Sequence, residues 1–371
     1  MKAKINKRSL VQTLSHLHSV VEKRNTIPIL ANVLIEARDK NLILAATDME
    51  IAELQSIYCE VLQEGAVTTP AHILYDIVRK LPDEAMIELE SKEGKKLEIK
   101  TDKISFSLMC LPPNDFPDIH SGEYPEGFDI DTTSLSRLID KTLFSVSTEE
   151  TRYYLNGIYL HAVKDSDGEK LRTVSTDGHR LSRVDMNIPE GANEIPGVIV
   201  PRKTIMEIRK LLEDHSDIIN LSLSDNKIKL SFSNVILTSK LLDGTFPDYS
   251  RVIPEQNNKT VTISNQLLSE AVDRVSTVST DKTRAIKVNI SKGNLVISAT
   301  NPDKGSASES LDVIYDGEEV EIGFNSKYVL DVARQIKGNE IIIKLSDSVS
   351  PTLVYDKDDK GVLFVLMPMR V

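Results

Sequence analysis

The sequence predicts an α+β protein of three repeats, each with two helices packed on antiparallel strands. A pair of strand-like runs joined by a polar turn occurs three times, and helical periodicity brackets each pair on both sides. The copies lie roughly 120 to 130 residues apart, the size of an ordinary domain. A chain of 371 residues with 40% hydrophobic content can bury two or three cores, in keeping with that count.

The first pair reads Ile29 to Ile35 and Leu42 to Asp48, the second Tyr154 to Leu160 and Leu171 to Asp177, the third Ala285 to Ile290 and Leu295 to Asn301. All are rich in β-branched and aliphatic residues, as hairpin strands require. Ahead of each pair, apolar residues step by three and four: Leu10, Leu14, Leu17 and Val21; Leu135, Leu138, Ile139, Thr142 and Val146; Leu268, Ala271, Val275 and Val278. This spacing puts each set on one helix face. Behind the pairs come shorter helices carrying Leu74, Ile77, Val78 and Leu81; Ile205, Ile208 and Leu212; Val329, Val332, Ala333 and Ile336. Pro70, Pro201 and Asn325-Ser326 mark their starts. Met86 to Glu90, Ile218 to Leu223 and Ile341 to Leu345 supply further strands.

A net charge of −11 opposes simple adhesion to nucleic acid. The predicted helices break that trend: together they carry +9, leaving −20 for the remaining chain, although the helix over 265–278 is acidic. If the helices lie on one side of the sheets, the molecule presents opposite signs on two surfaces. The alternative is that Lys and Arg merely occupy exposed helix faces and C-terminal ends, as Lys23-Arg24, Arg79-Lys80 and Lys337 would. Five basic helices of six favour the surface reading.

Gln12, Ser15, His16 and His18 interrupt the stretch where a signal peptide needs an apolar core, and no run approaches the about 18 apolar residues of a membrane span, so the expected location is the cytosol. Cys59 and Cys110 are expected as buried free thiols, and the Asn258-Lys259-Thr260 sequon has no meaning without secretion. There is no phosphate-binding G-x-x-x-x-G-K-S/T, no H-E-x-x-H, no paired C-x-x-C and no G-x-S-x-G. His16 and His18, two apart on a helix, diverge and make a poor metal pair. Ser175, Asp177 and His179 are the best catalytic candidate, yet adjacency along one turn is not a triad, and the other copies have Met49 and Pro302 at the place of Gly178. Turn chemistry alone explains an Asp or Asn after Thr at a strand end.

Several segments in fixed order carry a resemblance: Arg152 to Gly157, Thr176-Asp177-Gly178-His179-Arg180-Leu181, Val200-Pro201-Arg202-Lys203, Thr238-Ser239-Lys240-Leu241, Asp243-Gly244, Phe246-Pro247-Asp248-Tyr249 and Met367-Pro368-Met369-Arg370. From end to end the chain resembles the beta subunit of bacterial DNA polymerase III, the replicative sliding clamp. The resemblance implies three clamp domains at 1–124, 125–254 and 255–371, joined head to tail with a second chain into a six-domain homodimeric ring. Helices would line its hole, through which duplex DNA passes without sequence preference. The implied function is processivity: tethering the replicative polymerase, with no catalysis and no cofactor. Clamp loader, other polymerases and repair proteins would dock through short peptide segments.

The resemblance also assigns residues. Arg24, Tyr153 and Tyr154, with Arg152 beside them, are expected to meet DNA, and the charge pattern adds Lys141 and Lys203; for the tyrosines, hydrophobic packing is the competing reading. Glu149-Glu150 stands where relatives often carry a neutral donor, which weakens a DNA contact from that loop. The expected peptide pocket comprises Leu155, Thr176, Gly178, His179, Arg180, Leu181, Pro247, Val252, Val365, Met367, Pro368, Met369 and Arg370, with methionines and aliphatics adapting to varied peptides and His179, Arg180 and Arg370 orienting them. Phe106 is expected at the dimer interface, facing Thr277 and Val278 where some relatives have bulky aliphatics, so the dimer should be weaker. Two other classes remain open. A hydrolase would lose turnover with His179→Ala, and a pure scaffold would bind peptides without capture on DNA.

Overall fold

A computed structural model of the chain describes residues 1–22, 26–92, 94–118, 124–214, 218–279 and 283–370. The first repeat supplies β1 (Lys2–Asn6), α1 (Lys7–Val20), β2 (Asn32–Arg38), β3 (Asn41–Thr47), β4 (Ile51–Tyr58), β5 (Glu60–Gln63), β6 (Gly65–Pro70), α2 (Ala71–Lys80), β7 (Met86–Lys92), β8 (Lys96–Thr101) and β9 (Ile104–Met109). The second supplies β10 (Phe128–Asp131), α3 (Thr132–Leu143), β11 (Gly157–Asp165), β12 (Gly168–Thr176), β13 (Arg180–Asn187), β14 (Val198–Pro201), α4 (Arg202–Asp214), β15 (Ile218–Leu223), β16 (Lys227–Phe232) and β17 (Val235–Lys240). The third supplies β18 (Lys259–Ser264), α5 (Asn265–Ser276), β19 (Ala285–Ser291), β20 (Asn294–Asn301), β21 (Gly305–Asp312), β22 (Val320–Asn325), α6 (Ser326–Ala333), β23 (Glu340–Leu345), β24 (Thr352–Asp356) and β25 (Val362–Leu366).

The expected hairpins form as β2–β3, β11–β12 and β19–β20, all antiparallel. Two of them enter their first strand through a 3-10 turn, at Pro28–Ala31 and Glu150–Leu155, so the predicted strand runs from Ile29 and Tyr154 begin later than the pattern implied. The helices sit where the periodicity places them. Asn6, Ser264 and Asn325 cap α1, α5 and α6, each side chain accepting a first-turn N–H. Val21, Leu81, Val146 and Ile336 are buried but lie just past the helix ends. The apolar stripe continues while the last turn tightens, as in the Leu81 N–H to Val78 bond of 3.2 Å.

The repeat pattern alone implies that each repeat keeps its own strands. In the structure, sheets cross the repeat borders: β4 pairs with β17 over Ile51↔Ser239 to Gln55↔Val235, and β13 pairs with β25 over Arg180↔Leu366 to Val184↔Val362. Accordingly the chain packs as two compact units, residues 1–136 with 189–241, and 137–188 with 242–371. The first contains a sheet of order β5-β1-β7-β8-β9 and another of order β10-β15-β16-β17-β4-β3-β2-β6. In the second, β11-β12-β13-β25-β24-β23-β18 follow one another in one sheet and β21-β20-β19-β22 form another. Cys59 and Cys110 are free thiols; Cys59 is buried, Cys110 only partly so, and loss of solvent pushes the Cys110 thiol up to about 11. No helix among the described residues is long and apolar enough to cross a membrane.

In the first unit, α1 meets both α2 and α4. His18 stacks on Tyr75 of α2 at 4.1 Å. His16, 2% exposed, joins Asp214 of α4 at 2.8 Å through Nε2 and lies 3.0 Å from Gln55 Nε2 through Nδ1. Gln55 also donates to Glu53 Oε1 at 2.7 Å, and Glu53 is fully buried with Oε2 unpaired. This seam explains a polar His16 on the buried face of α1. Burial pushes the Glu53 carboxyl up to about 8, with neighbouring Glu207 adding to the rise. Because the folded value lies above the unfolded one, the group's stabilising effect is full below about 4.5 and is lost as pH rises through about 8. Glu53→Gln, neutral throughout, should therefore melt several degrees above the parent at pH 9, the gap shrinking toward pH 5 in thermal unfolding scans.

Candidate functional site

One turn is built three times from the Thr-Asp/Asn pairs. Asp48 Oδ1 accepts from the Glu50 and Ile51 amides at 2.8 Å each, Asp177 Oδ1 from His179 and Arg180 at 2.9 and 3.0 Å, and Asn301 Oδ1 from Asp303 and Lys304 at 2.9 and 3.3 Å. These carboxylates and the amide are committed to backbone capping. Ser175 is buried against Ser145, and the exposed His179 stacks on Tyr328 with ring centroids 5.9 Å apart. The trio therefore makes no catalytic constellation.

Beyond the second turn lies a cavity of about 180 Å³ lined by Leu155, Thr176, Gly178, Arg180, Leu181, Pro247, Val252, Val365 and Met367, together with Asp248 and Tyr249. Main-chain pairing of β13 with β25 supplies the floor, and the Met367 N–H to His179 carbonyl bond of 2.9 Å carries it past the strand end. The loop wall is pinned by aromatics. Phe246 stacks on Tyr159 at 5.0 Å, and the Tyr249 hydroxyl meets His161 Nε2 at 3.1 Å and takes a bond from Arg172 at 3.3 Å. Val252 and Met367 stay 41% and 37% exposed, which leaves an adaptable apolar mouth.

Arg180 forms part of the cavity wall. It is 7% exposed, and its guanidinium donates to Asp177 Oδ2 at 3.1 Å, Asp331 Oδ2 at 2.6 Å and the Phe144 carbonyl at 2.7 Å while lying over Phe144 and Tyr328. These bonds use three of its five N–H donors and fix Arg180 as part of the cavity wall. Pro368, Met369 and Arg370 line a separate cavity of about 500 Å³ with Gly323 and Val349. The terminal segment is anchored: β25 is buried throughout, and Met369 N–H bonds to the Gly323 carbonyl at 2.9 Å. Asp248 and Tyr249 were missed as lining residues, although they follow Pro247 directly in a segment that carried the resemblance.

The residues expected to meet DNA fare unequally. Lys141 is 5% exposed, donates to the Gln335 carbonyl at 2.5 Å and lies 3.9 and 4.0 Å from Asp356 and Asp359, on the wall of an open cavity of about 750 Å³. Burial lowers its affinity for a proton. Lys203, 39% exposed at its side chain, is bound to the Asp48 carboxylate and to the Val20 carbonyl. Arg152 forks onto Glu149 at 2.9 and 2.6 Å, so the departure at Glu149 cancels charge beside the tyrosines. Tyr153 is 52% exposed and Tyr154 half-buried, with rings 5.9 Å apart on the 3-10 turn. Gly244, at φ +135, takes a backbone state that favours glycine where its loop meets them. Arg24 lies outside the described residues. Phe106 is 39% exposed on β9, the last strand of its sheet, Thr277 is exposed just after α5, and Val278 is half-buried.

Comparison with known proteins gives consistent matches. Models of the DNA polymerase III beta subunit match in order: its N-terminal domain over residues 1–120, its central domain over 129–248 and its C-terminal domain over 250–370. A beta sliding clamp of Caulobacter vibrioides is 47% identical over 372 residues, and one of Escherichia coli K12 is 36% identical over 372 residues, each covering 100% of both chains. Among solved structures, the sliding clamp from Bartonella birtlesii bound to griselimycin is similar with a TM-score of 0.97 at 47% identity, covering 100% of both chains. The DNA polymerase III subunit beta from Pseudomonas aeruginosa has a TM-score of 0.94 at 37% identity, again covering 100% of both.

The Arg180 cluster makes a direct prediction. Asp331→Ala strips one carboxylate from a buried guanidinium and should destabilise the chain by roughly 2 kcal/mol or more, read as a lower urea midpoint.

Proposed function

The chain belongs to the DNA polymerase III beta subunit family, the beta sliding clamps, and from that membership we propose that it encircles duplex DNA as a homodimeric ring. Its function is processivity: it is a non-catalytic subunit that keeps a DNA polymerase on its template. The observation that carries this reading is the match of all three domain models, in order, along one chain.

The finer assignments are proposals. The domains are 1–124, 125–254 and 255–371, and two chains join the first domain of one to the third of the other. Phe106 on the outer strand β9 meets Thr277 and Val278 there, sealing edges that otherwise invite aggregation. Tyr153 and Tyr154 offer aromatic faces to DNA, with Arg24 and Lys203 nearby in role. The commitment of Lys203 to Asp48 and of Arg152 to Glu149 supports a weak, register-free hold, which is what sliding requires. The cavity around Val252 and Met367 takes short peptide segments of the replicative polymerase, clamp loader, other polymerases and repair proteins. The working location is the cytoplasm, where replication partners are found.

Primer extension on long single-stranded circles tests the reading. With a clamp loader and polymerase present, adding the chain should lengthen the products greatly; unchanged lengths would overturn it. Phe106→Ala should shift the dimer toward monomer by roughly tenfold in dissociation constant, visible by sedimentation at low concentration.

A further inference from the structure

The peptide-cavity frame occurs twice in this molecule. At the border of the first and second repeats, Thr47 Oγ1 donates to the Ile51 carbonyl at 2.9 Å, as Thr176 does to Arg180 at 2.7 Å. The Met49 amide donates to Thr47 Oγ1 at 3.0 Å, as Gly178 does to Thr176 at 3.1 Å. The cross-repeat strand continues identically: Lys240 N–H bonds to the Glu50 carbonyl at 2.8 Å, and Met367 N–H to His179 at 2.9 Å. Even the loop wall repeats, since Phe116-Pro117-Asp118 has the sequence of Phe246-Pro247-Asp248. Between these parts lies a cavity of about 160 Å³ where Met49, Ile51, Pro117 and Tyr124 meet a polar rim that includes Glu50 and Lys240.

We propose that this cavity is a second docking site, seating one aliphatic side chain of an extended peptide against Met49, Ile51 and Pro117. The inference rests on the peptide reading of the cavity around Val252 and Met367. The same main-chain frame and a similar volume argue for the same kind of occupant, and the more polar rim makes it the weaker of the two. Where the other cavity has Gly178 at φ +87, this one has Met49 at φ +78, a backbone state that disfavours a side chain. The Met49 side chain is nonetheless 51% exposed at the cavity mouth, where a flexible thioether can fold over a bound aliphatic group. Lys240 stands in the place of Met367 and pairs with Glu50 at 3.0 Å, both more than half exposed, so the rim is an ion pair that solvent can open.

Methyl NMR of the full chain, labelled at the methionine ε and isoleucine δ1 carbons, tests this with the probe acetyl-Ser-Leu-Ser-Leu-Ala-amide. Met49 is assigned by loss of its signal in Met49→Leu. Met367 should shift first, and Met49 and Ile51 should shift together in a second, saturating event. Met49→Gly removes the thioether that folds over the bound group, so the second event, read at Ile51, should weaken roughly fivefold. Saturation at Met367 with Met49 and Ile51 unmoved, or drifting without saturation, overturns the second site alone. Silence at Met367 overturns the first cavity's reading and this inference with it. Shifts at Met49 that follow protein concentration without peptide identify a second copy of the chain as occupant and also overturn it.

Discussion

Main-chain pairing across the repeat borders is the constraint on which the rest of this molecule depends. β4 with β17 and β13 with β25 turn separate repeats into continuous sheets, and each junction fixes where a Thr-Asp turn meets the end of a neighbouring strand. The cavities arise at those meetings because backbone hydrogen bonds hold their floors, whatever the side chains above them. A one-residue slip of β25 would turn Val365 and Met367 to the opposite face and erase the pocket. The buried Arg180 cluster then locks the turn to the third repeat through Asp331.

Basic side chains on the helices are largely spent locally: Lys7 on Asp83, Arg79 on Asp76, Arg137 on Asp359, Lys203 on Asp48, Arg274 on Glu309. A surface so neutralised would hold phosphate loosely and without register. For a sliding protein that is the useful regime, since persistence comes from encirclement and mobility from the weakness of each contact. Glu149 takes this furthest by holding the arginine next to the exposed Tyr153.

Much of this was legible in the sequence, for identifiable reasons. The period of Leu10, Leu14 and Leu17 gave α1 because an apolar stripe at helical spacing has one buried solution. The Thr-Asp pairs gave the turns because their hydrogen bonds are local. Cross-repeat pairing was not legible, since strand partners far apart in sequence leave no local pattern. The fates of Lys141 and Arg180 were hidden for the same reason: Asp356 and Asp331, distant along the chain, decide that both cations turn inward. Residue type announced a charge, and only the packing showed where it was used.

Topological capture is the central claim, and retention on circular duplex after loading, at a salt concentration that screens surface charge, measures it most directly. The account predicts that the protein stays on the intact circle through gel filtration and leaves as soon as an endonuclease linearises it. Loss from the uncut circle, or equal retention on linear DNA with free ends, would contradict it.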